Sequence, residues 1–185
     1  MVWVVIAVVA ILIILLLVLV GMFNKLVRLR NRAENAWAQV DVQLRKRYDL
    51  VPNLVETVKG YAAHERGTFE AVTQARTAAQ QAQGVQQQAE AENMLTAALG
   101  RLFAVAEAYP VLRASENFQQ LQAELTNTED RIAAGRRFYN ANVRTLNTKV
   151  ESFPSNIVAG MFHFERAEYF EAEDPQVREA PTVSF

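Results

Sequence analysis

Residues 1–23 read MVWVVIAVVAILIILLLVLVGMF, without one charged side chain or amide. As an α-helix this stretch spans roughly 30 Å, the thickness of a bilayer's hydrocarbon core. Such a helix satisfies its own backbone polar groups, which hydrocarbon demands. Trp3 and Phe23 stand near its two ends, where aromatic rings favour the interface. A secretory signal would have a shorter apolar region, a basic start and a small-x-small cleavage site. None of these is present, so residues 1–23 are expected to be a transmembrane anchor.

Downstream of the anchor the composition is that of a soluble domain. Lys25, Arg28, Arg30 and Arg32 follow the span directly. By the positive-inside rule they place the following domain in the cytoplasm; they also suit anionic headgroups. The 185-residue chain has a net charge of -1, which argues against a general nucleic-acid binder. Cysteine is absent, which excludes disulfides, thiolate metal sites and a lipidated cysteine.

The rest reads as helices. Leu26, Leu29, Ala33, Trp37, Val40 and Leu44 recur in steps of three and four, one stripe of an amphipathic helix. No glycine or proline lies between Met22 and Val51, so the anchor is expected to run on as a rod. Pro52 is expected to end that helix and start a second one, from about 52 to 83. The stripe of the second helix is Leu54, Val55, Val58, Ala62, Phe69, Val72 and Ala79, with Gly84 marking a hairpin tip. A third helix covers about 89–109, with Leu95, Ala98, Leu102, Val105 and Tyr109, and Pro110 closes it. Ser115 is a candidate N-cap for the fourth and longest helix. There Phe118, Leu121, Leu125, Thr128, Ile132, Gly135, Tyr139, Val143, Leu146, Val150 and Phe153 follow a near-heptad repeat up to Pro154. The expected fold is all-α: one transmembrane helix continuing into an antiparallel bundle of four long helices.

The domains are expected to be 1–23 (anchor), 24–164 (bundle) and 165–185 (an acidic, extended tail). The tail carries six acidic and two basic residues. Just before it, IVAGMFHF at 157–164 is apolar and aromatic; burial in its own bundle, a place on the membrane and a partner interface all remain open.

Chemistry is sparse. His64 opens HERGTF without the second histidine of H-E-x-x-H, and His163 has Gly160 where the E-x-x-H of di-iron bundles needs a carboxylate. No phosphate loop or nucleophile elbow occurs. Two polar constellations remain. In RKRYDLVPNL at 45–54, Asp49 or Asn53 is expected to cap a new helix start, with Arg47 neutralising Asp49; a polar partner site at the far end of the bundle is the alternative. Glu129, Arg131, Arg136, Arg137 and Asn140 read as a buried network that fixes register.

The chain resembles the LemA family from about Phe23 to Phe185. LVRLRN at 26–31, AWAQVDVQL at 36–44 and RYDLVPNLVETVKGY at 47–61 carry the likeness, and the last is the most specific. It continues through AR at 75–76, EAYP at 107–110, NF at 117–118, TEDRIA at 128–133, RRFYN at 136–140, FPSN at 153–156, AG at 159–160 and YFE at 169–171. The resemblance implies a bacterial single-pass protein with a helical bundle. It brings no enzymatic activity or cofactor, so no catalytic, cofactor-binding or metal residue is assigned. Relatives with a lipid anchor need a cysteine that this chain lacks.

The expected function is a non-enzymatic structural or scaffold protein at the bacterial inner membrane. Its expected partners are the lipid bilayer and copies of itself. The alternative is an adaptor for another membrane protein, such as a protease or signalling receptor.

Overall fold

The computed structural model describes residues 1–171; most of the acidic tail, 172–185, lies outside the described residues. Six helices appear: α1 (Val2–Lys59), α2 (Arg66–Gln81), α3 (Gly84–Glu107), α4 (Pro110–Arg113), α5 (Glu116–Glu151) and α6 (Ser155–Met161). Among the described residues there is no strand, so the fold is all-α, with four long helices and two short ones. The described residues group into two compact units: Met1–Val40 with Gly135–Glu168, and Asp41–Ala134 with residues 169–171.

In the first unit, residues 2–20 are an exposed apolar helix, long enough to cross a membrane and buried nowhere by the protein itself. From Leu26 the same helix turns amphipathic. Leu26, Leu29, Ala33 and Val40 are buried, as the stripe predicts; Ala36 is buried too, and Trp37 only partly. α5 runs antiparallel to it: Val40 meets Gly135, Trp37 meets Tyr139 (ring centroids 5.3 Å apart), and Met22, Phe23 and Val27 share a cluster with Val150. Each fully buried Leu or Val contributes about 1.5–3 kcal/mol. Gly135 permits the close approach, since a Cβ there would lie 3.0 Å from Cγ2 of Val40.

α6 closes this unit. Val158, Ala159 and Phe164 pack on Leu26. The helix ends in a paired-bond turn: the Phe164 N–H donates to Ala159 O (2.9 Å) and the His163 N–H to Gly160 O (3.4 Å). His163 takes the left-handed conformation, φ 55°, that this termination requires. The turn folds Phe164 back onto Ala159, the apolar contact such ends commonly make. The chain beyond, 165–171, forms no helix but is fastened. Asn147 donates to Ala167 O and accepts from its N–H, both at 2.9 Å, and the Tyr139 hydroxyl donates to Glu168 O at 2.8 Å.

In the second unit α2 and α3 form a tight hairpin. Gly84 supplies the positive φ, 80°, at its turn. Phe69, Val72 and Ala79 face inward, as do Leu95, Ala98, Leu99 and Leu102. Phe103 and Phe118 meet edge-on at 6.4 Å, joining α3 to α5. Ser115 stands one residue before α5, and its carbonyl accepts the first helical bond, from Gln119.

Two expectations are corrected. Pro52 does not end a helix; it lies inside α1, which stops only at Lys59, before Gly60. Phe153 does not close the α5 stripe, because α5 ends at Glu151 and Phe153 is 80% exposed.

Candidate functional site

A proline inside a helix has no N–H for the carbonyl four residues earlier, and this normally costs about 3 kcal/mol. Here the orphaned acceptor is Tyr48 O. The Arg76 guanidinium on α2 supplies the missing donor, with Nε 2.7 Å from Tyr48 O. A side chain from another helix thus completes the backbone of α1, and the helix continues.

The same turn of α1 sends two side chains inward. Arg47 is 2% exposed, and Tyr48 is buried beside it. Arg47 Nη1 donates to Glu92 Oε2 at 2.7 Å and Nη2 to Thr96 Oγ1 at 2.8 Å. Its Nε lies 2.8 Å from Glu129 Oε1, close enough for an ion pair but without hydrogen-bond alignment. The Tyr48 hydroxyl donates to Glu92 Oε1. Gln88 Nε2 reaches Glu92 Oε1 (2.9 Å), the Tyr48 hydroxyl (2.7 Å) and Ala79 O (3.0 Å). One guanidinium and two carboxylates therefore tie α1, α3 and α5 together, and Gln88 extends the network to the end of α2.

Burial, reinforced by the hydrogen bond to Glu92 and its negative charge, pushes the Tyr48 phenol far above its ordinary range. Burial also pushes Tyr139 up to about 12, with Glu168 adding to the effect. Both phenols keep their protons where an unfolded tyrosine, with a pKa of about 10, loses its own. The stability they protect is complete below pH ~10 and is lost as pH rises through the folded values. In a spectrophotometric titration, two of the five tyrosines should ionise late, together with unfolding. Replacing Tyr48 and Tyr139 by Phe should remove the late phase; its survival would assign it elsewhere.

The arrangement holds charge in place rather than moving it. Arg47 and Glu92 are almost wholly enclosed, and the Tyr48 proton is locked to a carboxylate. Such clusters contribute little net stability but penalise wrong registers, because a slipped helix would strand a buried charge. Among the described residues, no three His, Asp or Glu side chains are grouped to hold a metal. An open depression of 330 Å³ in the same unit is lined by Thr57, Asn117, Gln120, Leu121 and Glu124. Lys46 holds the Glu124 carboxyl below its usual range.

The two polar constellations thus resolve differently from expectation. Asp49 and Asn53 are exposed and cap no helix start, and Arg47 turns to Glu92 and Glu129 instead of Asp49. Of the second group, Glu129 joins the Arg47 cluster, and Arg131 is exposed, donating to Asn127 at 2.9 Å. Arg136, Arg137 and Asn140 belong to the other unit. Sequence reading missed Glu92, Gln88 and Thr96. A signal existed: Gln88 and Glu92 continue the Leu95–Leu99–Leu102 stripe backwards, which puts an amide and a carboxylate at core positions.

The LemA family model matches residues 36–185. Magnetosome protein MamQ 2 of Paramagnetospirillum magneticum is 28% identical over 175 residues, covering 80% of this chain and 64% of that protein. Magnetosome protein MamQ of Magnetospirillum gryphiswaldense is 26% identical over 174 residues, with the same coverage of 80% and 64%. The chain thus spans slightly less than two thirds of these magnetosome relatives. Protein LemA of Metamycoplasma hominis is 27% identical over 158 residues, covering 85% of this chain and 72% of that protein. The match takes in the Arg47–Tyr48 turn, its α3 carboxylate and the α5 residues that meet them, and the chain belongs to the LemA family.

Proposed function

We propose that this chain is a membrane-anchored, non-enzymatic structural protein whose helical part self-associates at the bacterial inner membrane. The carrying observation is the continuity of α1. One uninterrupted helix holds both the fully exposed apolar run and the core positions Leu26 to Val40. An apolar helix of that length, left uncovered by the protein, is stable only in lipid or against other apolar surface. Lys25, Arg28, Arg30 and Arg32 support a cytoplasmic side for the helical part. The buried charges serve packing, and the names of the relatives carry no enzymatic activity. Tethering raises effective concentration, so weak contacts between copies add up to a stable assembly.

Native mass spectrometry of the detergent-extracted full chain tests the assembly. Defined oligomers are expected. Monomers alone at micromolar concentration overturn self-association, and stoichiometric co-purification with a different membrane protein favours the adaptor reading instead. Extraction of membranes with alkaline carbonate tests the anchor: the chain should stay in the pellet.

A further inference from the structure

α6 shows the reverse of the usual surface pattern. Its inner face, Ser155, Val158 and Ala159, is buried. Its outer side presents Ile157 (54% exposed) and Met161 (60%), flanked by Phe153 (80%) and Phe162 (52%). Large apolar side chains occupy positions where a water-facing helix would carry polar ones. The place of this patch is fixed by its contacts. The Phe162 ring lies 4.7 Å from Phe23, the last residue of the apolar run, and Phe164 lies 5.8 Å from the same ring. Met22, Phe23 and Val27 pack on the α6 cluster. The patch is therefore level with the point where the span would leave the hydrocarbon. Lys25 and Arg28 project from that level, and Arg30 covers the Phe164 ring at 5.3 Å. The nearby Glu151 is paired with Arg166 at 3.0 Å.

We propose that the outer side of α6, made by Phe153, Ile157, Met161 and Phe162, is seated in the headgroup layer of the same bilayer that residues 1–23 cross. This rests on the membrane-anchor reading. Short apolar segments settle at the boundary between headgroups and acyl chains, and basic residues beside them attract anionic lipid. The patch continues an apolar surface that already leads into the membrane, and Lys25, Arg28 and Arg30 beside it have the sign that anionic headgroups attract, against the exposed carboxylate of Glu165. The anchor and α6 together would hold the first unit at two points and restrict its rotation about the span.

The absence of cysteine makes the test direct. Met161→Cys and Ile157→Cys, each at an exposed position, are labelled with an environment-sensitive fluorophore in the full chain. Leu12→Cys marks the anchor. Gln39→Cys marks α1 at ~24 Å beyond Phe23, at 1.5 Å per residue. The proteins are reconstituted in vesicles of phosphatidylcholine and phosphatidylglycerol carrying bromines at shallow or deep acyl positions. The 157 and 161 labels should shift to the blue and lose most of their emission to shallow bromines. The 12 label should be quenched by deep bromines, and the 39 label by neither. A quenched 12 label beside water-like 157 and 161 labels overturns the α6 proposal and leaves the anchor intact. A 12 label that no bromine quenches removes the anchor reading, and the α6 proposal with it. Blue-shifted 157 and 161 labels that no bromine quenches, and that return to water-like emission on dilution of the protein in lipid, assign the patch to a second copy and overturn the proposal.

Discussion

Glu92→Ala should destabilise the helical domain by about 3 kcal/mol, a fall in Tm of ~10 °C for a domain of this size. The carboxylate accepts from Arg47, Tyr48 and Gln88 at once. Its removal leaves a guanidinium that is 2% exposed and a phenol without their main acceptor. Breaking a buried pair from one side costs about 3–5 kcal/mol, because the remaining charge stays desolvated. The lower end applies here, since Glu129 still faces Arg47 at 2.8 Å. The combined variant Arg47→Met, Tyr48→Phe, Glu92→Leu leaves no buried charge stranded and should recover most of the loss. Denaturant unfolding followed by circular dichroism measures both. A single variant within about 1 kcal/mol of wild type would show that water reaches the cluster.

Arg76→Met should cost about 2 kcal/mol, and Pro52→Ala should cancel most of that cost. The argument is local. Pro52 withholds the donor that Tyr48 O would receive in an ordinary helix, and Arg76 Nε replaces it at 2.7 Å. With alanine at 52 the backbone makes its own bond, and the guanidinium becomes dispensable. A double-mutant cycle should return a coupling of about 1–2 kcal/mol. Strict additivity would mean that Arg76 stabilises the unit by some other route. Arg76→Lys tests geometry: a single ammonium lacks the planar Nε–H, so it should restore only part of the stability.

The two variants also separate local from global effects. Glu92 ties α1 to α3 in the buried core through Arg47 and Tyr48, so its loss should lower the cooperativity of unfolding as well as the midpoint. The Arg76 bond joins one turn of α1 to α2 alone. Its loss should show first as faster amide exchange near Lys46 to Val55, because local opening reports the weakest element.

Much of the architecture was legible in the order of residues. An uncharged run of 23 residues declares itself from composition alone, because its length and apolarity are properties of one segment. The stripes at three- and four-residue spacing located the buried faces, since helical geometry puts those positions on one side. Leu26, Leu29, Ala33, Val40 and Leu44 are all buried, as are Leu54, Val55, Val58, Phe69 and Val72. Other features depended on partners far along the chain. Whether Pro52 breaks or continues α1 turns on a guanidinium 28 residues away from Tyr48. The fate of Arg47 turns on a carboxylate 45 residues away. The division of 157–164 came from the packing of Val158 and Ala159 on Leu26, which leaves Ile157 and Met161 outside, and from the left-handed turn at His163, which brings Phe164 inward. Periodicity reports which side of a helix is apolar, because that is a property of one segment. The identity of the group that satisfies a buried charge or an orphaned carbonyl is a property of two segments, and only their packing brings the pair within hydrogen-bond distance.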